Sequence, residues 1–351
     1  MKIDSWTQVL STLLAGEDLS RESADWAMRQ IMSGEASEGQ IGAFMIALRS
    51  KGETVAELAG LVDVMLDNAV VLDTGSDALD IVGTGGDLVG TVNISSMASI
   101  VAAAAGVPVL KHGSRSASGK TGSSEMLEVL GIKLDLAPAQ VADVFRQVGI
   151  TFFYAPVFHP AMRFVAPVRK QLGVPTTFNF LGPLANPAQP IATALGVSNQ
   201  QIAPVMAQEL AARGRTALVF RSDDGLDELS TTDINRILQV RDGEVTPAEL
   251  DARDFGLARV SQSQLLGADA RHNAAVASKL FALEDFENRQ AIMDIVVLNA
   301  AGGMATYAMA KGAQNELPQL IADAIEKAQA AIASGAARQK LVEWSAVTQQ
   351  L

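Results

Sequence analysis

The chain has 351 residues, enough to bury a large core and more in keeping with two domains than with one. At 48% hydrophobic and 19% charged residues it is neither disordered nor fibrous, and with no cysteine it excludes disulfides, thiol nucleophiles and Cys-ligated metals and points to a cytoplasmic setting. Its net charge of −12 argues against general nucleic-acid binding and polybasic membrane contact, so an anionic substrate requires a local patch of positive charge.

The N-terminus, MKIDSWTQVLSTLL, lacks the basic-then-apolar order of a signal peptide. The first seventy or so residues read as helices. Ser37-x-x-Gln40 has the form of a capping box and opens a stretch with Ile41, Phe44, Met45 and Leu48 on one helical face, closed by Gly52. Thr54-x-x-Glu57 opens the next, which carries Leu58, Leu61, Val62 and Met65. No strand is expected before residue 78.

From there the pattern alternates. Leu79 to Val82 reads as a strand running into Gly83-Thr84-Gly85-Gly86-Asp87, followed by a helix from about Ser95 to Ala105. A strand at Val107 to Leu110 comes next, then a polar loop from Lys111 to Gly122 and a helix from about Ser123. Later strands are expected at Ile150 to Tyr154, Ala192 to Val197, Ala217 to Phe220 and Ile237 to Val240, with helices such as Ile202 to Arg213 and Leu317 to Ala333. Strands alternating with helices predict an α/β fold with a largely parallel central sheet, whose ligands bind beyond the carboxyl ends of the strands. The longest low-polarity stretch is read as Ile100 to Leu110, too short to span a bilayer.

Four segments could carry chemistry. GTGGDLVGTVNISS places Gly83, Gly85, Gly86 and Gly90 before a helix start, where close backbone approach and free N–H groups make an anion site; its Asn93, Ser95 and Ser96 could equally be ordinary caps. KHGSRSASGKTGSS gathers Lys111, Arg115 and Lys120 among five serines and three glycines with no acidic residue, a local positive patch suited to phosphate or simply a polar surface loop. Asp227-Glu228, after a strand, suits Mg²⁺ if a diphosphate is bound and is otherwise a solvated turn. HPAMRFVAPVRKQLGVPTTFNFLGPLANP carries Arg169, able to grip a carboxylate through two hydrogen bonds or to lie on the surface, and His159, as readily a packing histidine as a catalyst. There is no GxxxxGK[ST] loop, GxGxxG fingerprint, GxSxG elbow or histidine pair at metal-ligand spacing.

In order and rough spacing, GTGGD, NISS, KHGSRSASGKTGSSEMLEVLG, HPAMRFVAPVR, FNFLGPLANP and DELSTT resemble the anthranilate phosphoribosyltransferase family of tryptophan biosynthesis, densely over about residues 35 to 235. The resemblance implies a helical domain of residues 1–75 completed by about 160–185, an α/β domain of 76–159 and 186–351, and a homodimer formed through the helical part. It implies transfer of a phosphoribosyl group from 5-phosphoribosyl diphosphate (PRPP) to the anthranilate amine with Mg²⁺, without covalent catalysis. PRPP is then expected at Gly83, Gly86, Asp87, Thr91, Asn93, Ile94, Ser95 and Ser96, at the run Lys111, His112, Gly113, Ser114, Arg115, Ser116, Ala117, Ser118 and Gly119, and at Ser123. Anthranilate is expected at Gly83, Ser114 and Arg169, and Mg²⁺ at Ser95, Asp227 and Glu228. Two residues depart from the family pattern: Ser114 stands where Asn usually follows KHG, and Leu88 where Gly usually follows GTGGD. A pyrimidine nucleoside phosphorylase is the competing enzyme reading, disfavoured by DELSTT and HPAMRFVAPVR; a nucleic-acid-binding homologue is disfavoured by the acidic charge.

Overall fold

The computed structural model describes residues 5–72, 74–115 and 121–351. Four helices open the chain: α1 (Trp6–Leu14), α2 (Arg21–Met32), α3 (Glu38–Lys51) and α4 (Val55–Asp67). Both expected capping boxes are present, with Ser37 and Gln40 starting α3 and Thr54 and Glu57 starting α4. Glu57 is fully buried yet satisfied, accepting from the Leu19 and Thr54 N–H groups and from Lys51 Nζ. One side chain thus satisfies the N-cap N–H of α4 and ties the α1–α2 connection to it.

The alternating part follows as β1 (Leu79–Gly83), α5 (Ile94–Ala104), β2 (Val109–Gly113), α6 (Ser123–Val129), α7 (Pro138–Val148) and β3 (Ile150–Tyr154). Then come α8 (Ala155–Phe158), α9 (Ala166–Leu172), α10 (Phe178–Leu184), β4 (Ala192–Gly196), α11 (Ala203–Ala212) and β5 (Thr216–Ser222). The hairpin β6 (Asn235–Arg241) and β7 (Glu244–Leu250) precedes α12 (Ala270–Phe281), α13 (Arg289–Ala310), α14 (Leu317–Ala333) and α15 (Ala336–Gln350). The seven strands lie in the order β3-β2-β1-β4-β5-β6-β7, the first five parallel and the last two antiparallel. The α/β class with a largely parallel sheet and a helical N-terminal part is as expected. β7 was not expected: its burial alternates weakly at an exposed edge, so it carries little hydrophobic signal.

The chain runs outward from β1 to β2 and β3, then returns to β4 on the other side of β1. That reversal opens a crevice at the carboxyl ends of β1 and β4, the place where α/β sheets bind ligands. One face of the sheet, through Ile81, Leu110, Ala194 and Leu218, packs on α5, α13 and α14. The other, through Val82, Leu195, Val197 and Val219, shares a core with α1–α4 and with Val165, Val168, Phe178 and Leu181 of the middle segment.

Two readings need correction. Lys111, His112 and Gly113 do not begin a loop; they complete β2, pairing with Phe152, Phe153 and Tyr154 of β3. Backbone pairing to a neighbouring strand overrides the polarity of the side chains. The longest apolar element is α13, not Ile100 to Leu110: its 22 residues would suffice by length and composition to cross a membrane, but 83% of its apolar window is buried inside the fold. Gly303 lets it lie against the sheet, since a Cβ there would come within 2.7 Å of Ile81, and Gly302 leaves room for Leu229.

Candidate active site

The crevice is built around one close approach. Gly83 and Gly196 are paired at the ends of β1 and β4, and both lack a Cβ on the side where Asp227 crosses them. A Cβ on Gly83 would sit 2.5 Å from Asp227 Oδ2, and one on Gly196 would sit 1.6 Å from the Asp227 carbonyl oxygen. The turn after β1 is held to its neighbours by hydrogen bonds: Gly85 N–H donates to Asp227 Oδ2 (2.7 Å), Thr84 N–H to Gly196 O (3.0 Å) and Ser198 Oγ to Gly85 O (2.7 Å). Gly85, Gly86 and Gly90 adopt left-handed conformations, and so does Leu88, at φ 60° with 81% of its surface exposed. A leucine there carries a backbone cost that glycine avoids.

Three carboxylates gather beside this turn. Burial and the facing Asp87 push Asp227 up to about 7, and Asp87 itself is raised, chiefly by burial. Glu228 is raised well above its usual value by burial and by Asp227, although it accepts from the Ser95 N–H at the start of α5 (3.2 Å). Lys111 Nζ is buried below them, donating to Ile81 O (2.6 Å) and Ser95 Oγ (3.3 Å). So much negative charge with one nearby lysine suits a divalent cation. Among the described residues no three acidic or histidine side chains converge into a complete metal cage. Mg²⁺ does not require one, because it keeps water and bridges from one or two carboxylates to substrate phosphates.

The remaining expected residues divide by what the fold does with them. Thr91 makes an isolated antiparallel bridge with Leu266. Asn93 and Ser95 stand at the N-terminus of α5, whereas the Ile94 side chain is in the core and its N–H is already bonded to Val92 O. Ser96 is 1% exposed and its Oγ has no partner among the described residues. Gly113 closes β2 against Ser123 and Phe152, where a Cβ would come within 2.5 Å of Ser123 Oγ. Ser123 Oγ donates to the Ser114 carbonyl (3.3 Å), which leaves the exposed Ser114 side chain free of this contact. Arg115 bonds to Tyr154 and to Glu128 across an exposed pair, which costs little to exchange for phosphate. Ser116, Ala117, Ser118, Gly119 and Lys120 lie outside the described residues.

Arg169, on α9, is half-buried and has no hydrogen-bond or ion-pair partner among the described residues; burial alone lowers its pKa. His159 is buried edge-on against His112, ring centres 5.2 Å apart. His112 Nδ1 meets Gly182 O (3.0 Å), while His112 Nε2 and both His159 nitrogens lack partners among the described residues. The carbonyls of Ala185 and Met65 face His159 without reaching hydrogen-bond geometry. Sequence reasoning missed Gly196 and Ser198, which frame the crevice. Gly196 alone had a visible signal, a glycine closing a strand.

The sequence matches the glycosyl transferase family helical bundle domain over residues 7–69 and the a/b domain of the same family over 75–338. It is 53% identical over 347 residues to the anthranilate phosphoribosyltransferase of Leifsonia xyli subsp. xyli, covering 98% of each chain. The chain belongs to the anthranilate phosphoribosyltransferase family. The structure of the Thermus thermophilus anthranilate phosphoribosyltransferase superposes with a TM-score of 0.88 at 36% identity, covering 99% of this chain and 100% of that one. The Saccharomyces cerevisiae anthranilate phosphoribosyltransferase, solved in complex with PRPP and Mg, gives a TM-score of 0.86 at 25% identity, covering 99% and 98%. Membership over nearly the whole length removes the nucleoside phosphorylase and nucleic-acid-binding readings.

Proposed function

We propose that this chain transfers the 5-phosphoribosyl group of PRPP to the amine of anthranilate, with Mg²⁺, giving N-(5-phosphoribosyl)anthranilate and diphosphate in tryptophan biosynthesis. The observation that carries this reading is the meeting of Asp87, Asp227 and Glu228 with the start of α5 at the carboxyl ends of β1 and β4. That arrangement has too much negative charge to bind a diphosphate unaided and the right donors to bind one through a metal.

Bound Mg²⁺ would neutralise charge accumulating on the diphosphate as it leaves C1 of the ribose. Asp227, Glu228 and Ser95 would hold it. The turn at Gly83, Gly86 and Asp87, with Thr91 and Asn93 to Ser96, would line the diphosphate. The strand end Lys111 to Gly113 and the loop to Gly119, with Ser123, would close over the ribose phosphate. Lys111 then acts from beneath, as a buried counter-charge, and Ile94 acts through packing. Arg169 would pair with the anthranilate carboxylate beside Gly83 and Ser114, and its lack of another partner supports that role. An aromatic amine is nucleophilic when neutral, so orientation takes precedence over a strong general base.

The same reading includes a helical domain of residues 1–75 completed by 160–185, supported by the shared core of Val165, Val168 and Phe178 with α1–α4. It includes a homodimer through that part, for which the exposed Leu14 and Ile46 on α1 and α3 provide apolar surface. It also includes a cytoplasmic location, since a diphosphate donor does not cross a bilayer unaided. The test is the loss of anthranilate fluorescence on mixing purified protein, Mg²⁺ and PRPP, with metal and donor omitted in turn. Loss that requires every component supports the reaction; no loss at high enzyme concentration overturns it.

A further inference from the structure

Asn273, in the first turn of α12, is 1% exposed and far along the chain from the glycine turn. Its amide makes two hydrogen bonds. The Ala268 N–H donates to Asn273 Oδ1 at 2.9 Å, and Asn273 Nδ2 donates to Asn93 Oδ1 at 2.9 Å. A backbone N–H can only donate, so the oxygen of Asn273 must face Ala268 and its nitrogen must face Asn93. Asn93 is thereby obliged to offer its carbonyl oxygen to Asn273. Although it stands at the N-cap of α5, its side chain does not cap the helix, and its own amide nitrogen has no partner among the described residues.

We propose that Asn273 is a positioning residue for the phosphoribosyl donor: it locks the side-chain amide of Asn93 so that N–H donors, not the carbonyl oxygen, are left for the diphosphate. Diphosphate oxygens only accept, so an Asn93 turned the other way would repel them. The proposal rests on the donor reading above. The surrounding segment reinforces the same control. Val92 N–H donates to Leu265 O (3.0 Å) and Gly267 N–H to Gly90 O (2.9 Å), while Thr121 Oγ1 donates to Ala268 O (2.9 Å). Residues 265–268 therefore tie both the turn after β1 and the end of the loop after β2. Gly267 permits this, since a Cβ there would come within 2.6 Å of Asn273 Oδ1 and 2.8 Å of Thr91 O.

The experiment compares Asn273→Asp, Asn93→Ala and the double variant in the full chain, reading PRPP dissociation by calorimetry with Mg²⁺ and KM for both substrates. In Asn273→Asp an acceptor replaces the donor that faces Asn93. The expected result is PRPP binding weakened about tenfold, with KM for anthranilate changed less than about twofold. In the Asn93→Ala background the Asp substitution should add nothing further. Additive losses, equal losses for both substrates, or unchanged PRPP binding would overturn the proposal. Should Asn273→Asp fail to fold, Asn273→Ser removes the amide without adding charge and is read in the same way. Wild-type protein that binds PRPP but does not modify anthranilate would overturn the acceptor reading while leaving this comparison intact; wild-type protein that fails to bind PRPP would overturn both.

Discussion

The carbonyl oxygen of Asp227 lies 1.6 Å from where Gly196 would carry a Cβ, so the Asp227–Glu228 segment rests directly on the end of β4. The contact is with backbone, which has no rotamer through which to move away. Gly196→Ala should displace Asp227 and Glu228 together. The expected outcome is a stability loss of roughly 1–3 kcal/mol in urea unfolding and a steeper loss of activity, with a raised Mg²⁺ requirement. A variant with wild-type Mg²⁺ dependence would show that the segment does not need this rest.

Arg169→Ala should impair anthranilate use more than PRPP use. A charge-assisted pair contributes about 1.5–3 kcal/mol, which corresponds to roughly a ten- to hundredfold rise in KM for anthranilate. Arg169→Lys should recover only part of it, because an ammonium cannot bond both carboxylate oxygens in the planar manner of a guanidinium. Equal losses for the two substrates would remove the carboxylate role.

Asp227→Asn combined with Glu228→Gln removes two buried acidic groups. The apo protein should be no less stable, since their burial and mutual repulsion no longer need to be overcome. The Mg²⁺ concentration for half-maximal activity should rise at least about tenfold. Thermal melts and a Mg²⁺ titration of activity read the two effects separately.

Leu88→Gly exchanges a strained left-handed leucine for a residue that tolerates φ 60°. Relief of about 1–2 kcal/mol is partly offset by about 0.4–1 kcal/mol of added freedom in the unfolded chain. A small net gain in the urea midpoint is expected. A clear loss would mean that the exposed side chain makes a contact in the working enzyme.

The contribution of two buried histidines to stability should be lost as pH drops below about 6.5. Burial lowers His112 to about 3 and His159 to about 4, so the unfolded chain takes up protons at these positions first. Their stabilising contribution is complete above pH 6.5 and is lost as pH falls toward 4. Asp80 acts in the opposite sense: burial raises it to about 6, so its contribution is present below its unfolded value of 3.8 and lost as pH rises through 6. Asp227, at about 7, and the raised Asp87 and Glu228 act in the same sense as Asp80, so the histidine share, up to about 1.4 kcal/mol per pH unit for each ring, is read as a difference between wild type and His159→Asn. Urea midpoints between pH 6 and 4 check the sign: His159→Asn should gain on wild type as pH falls.

Much of the site was legible from local chemistry. Glycines before a helix start, serines and cations after a strand, and an acidic pair after another strand each carry the proposed anion or metal role in a few consecutive residues. The capping boxes at Ser37 and Thr54 were legible for the same reason, since both partners lie within one helical turn. Residues whose roles depend on distant partners were not. Lys111 reads as a loop cation, but pairing with β3 draws it into a strand and under the carboxylates.

The amino-acid sequence by itself determined the family and the helical and α/β parts, because those properties reside in spacing and side-chain type along continuous chain. Only the tertiary structure decided that Asp227 needs Gly83 and Gly196 bare, that Arg169 is left without a partner among the described residues, and that Asn273 faces Asn93. Each of these depends on steric exclusion or hydrogen-bond direction between residues brought together by the order of strands, and no local pattern records that.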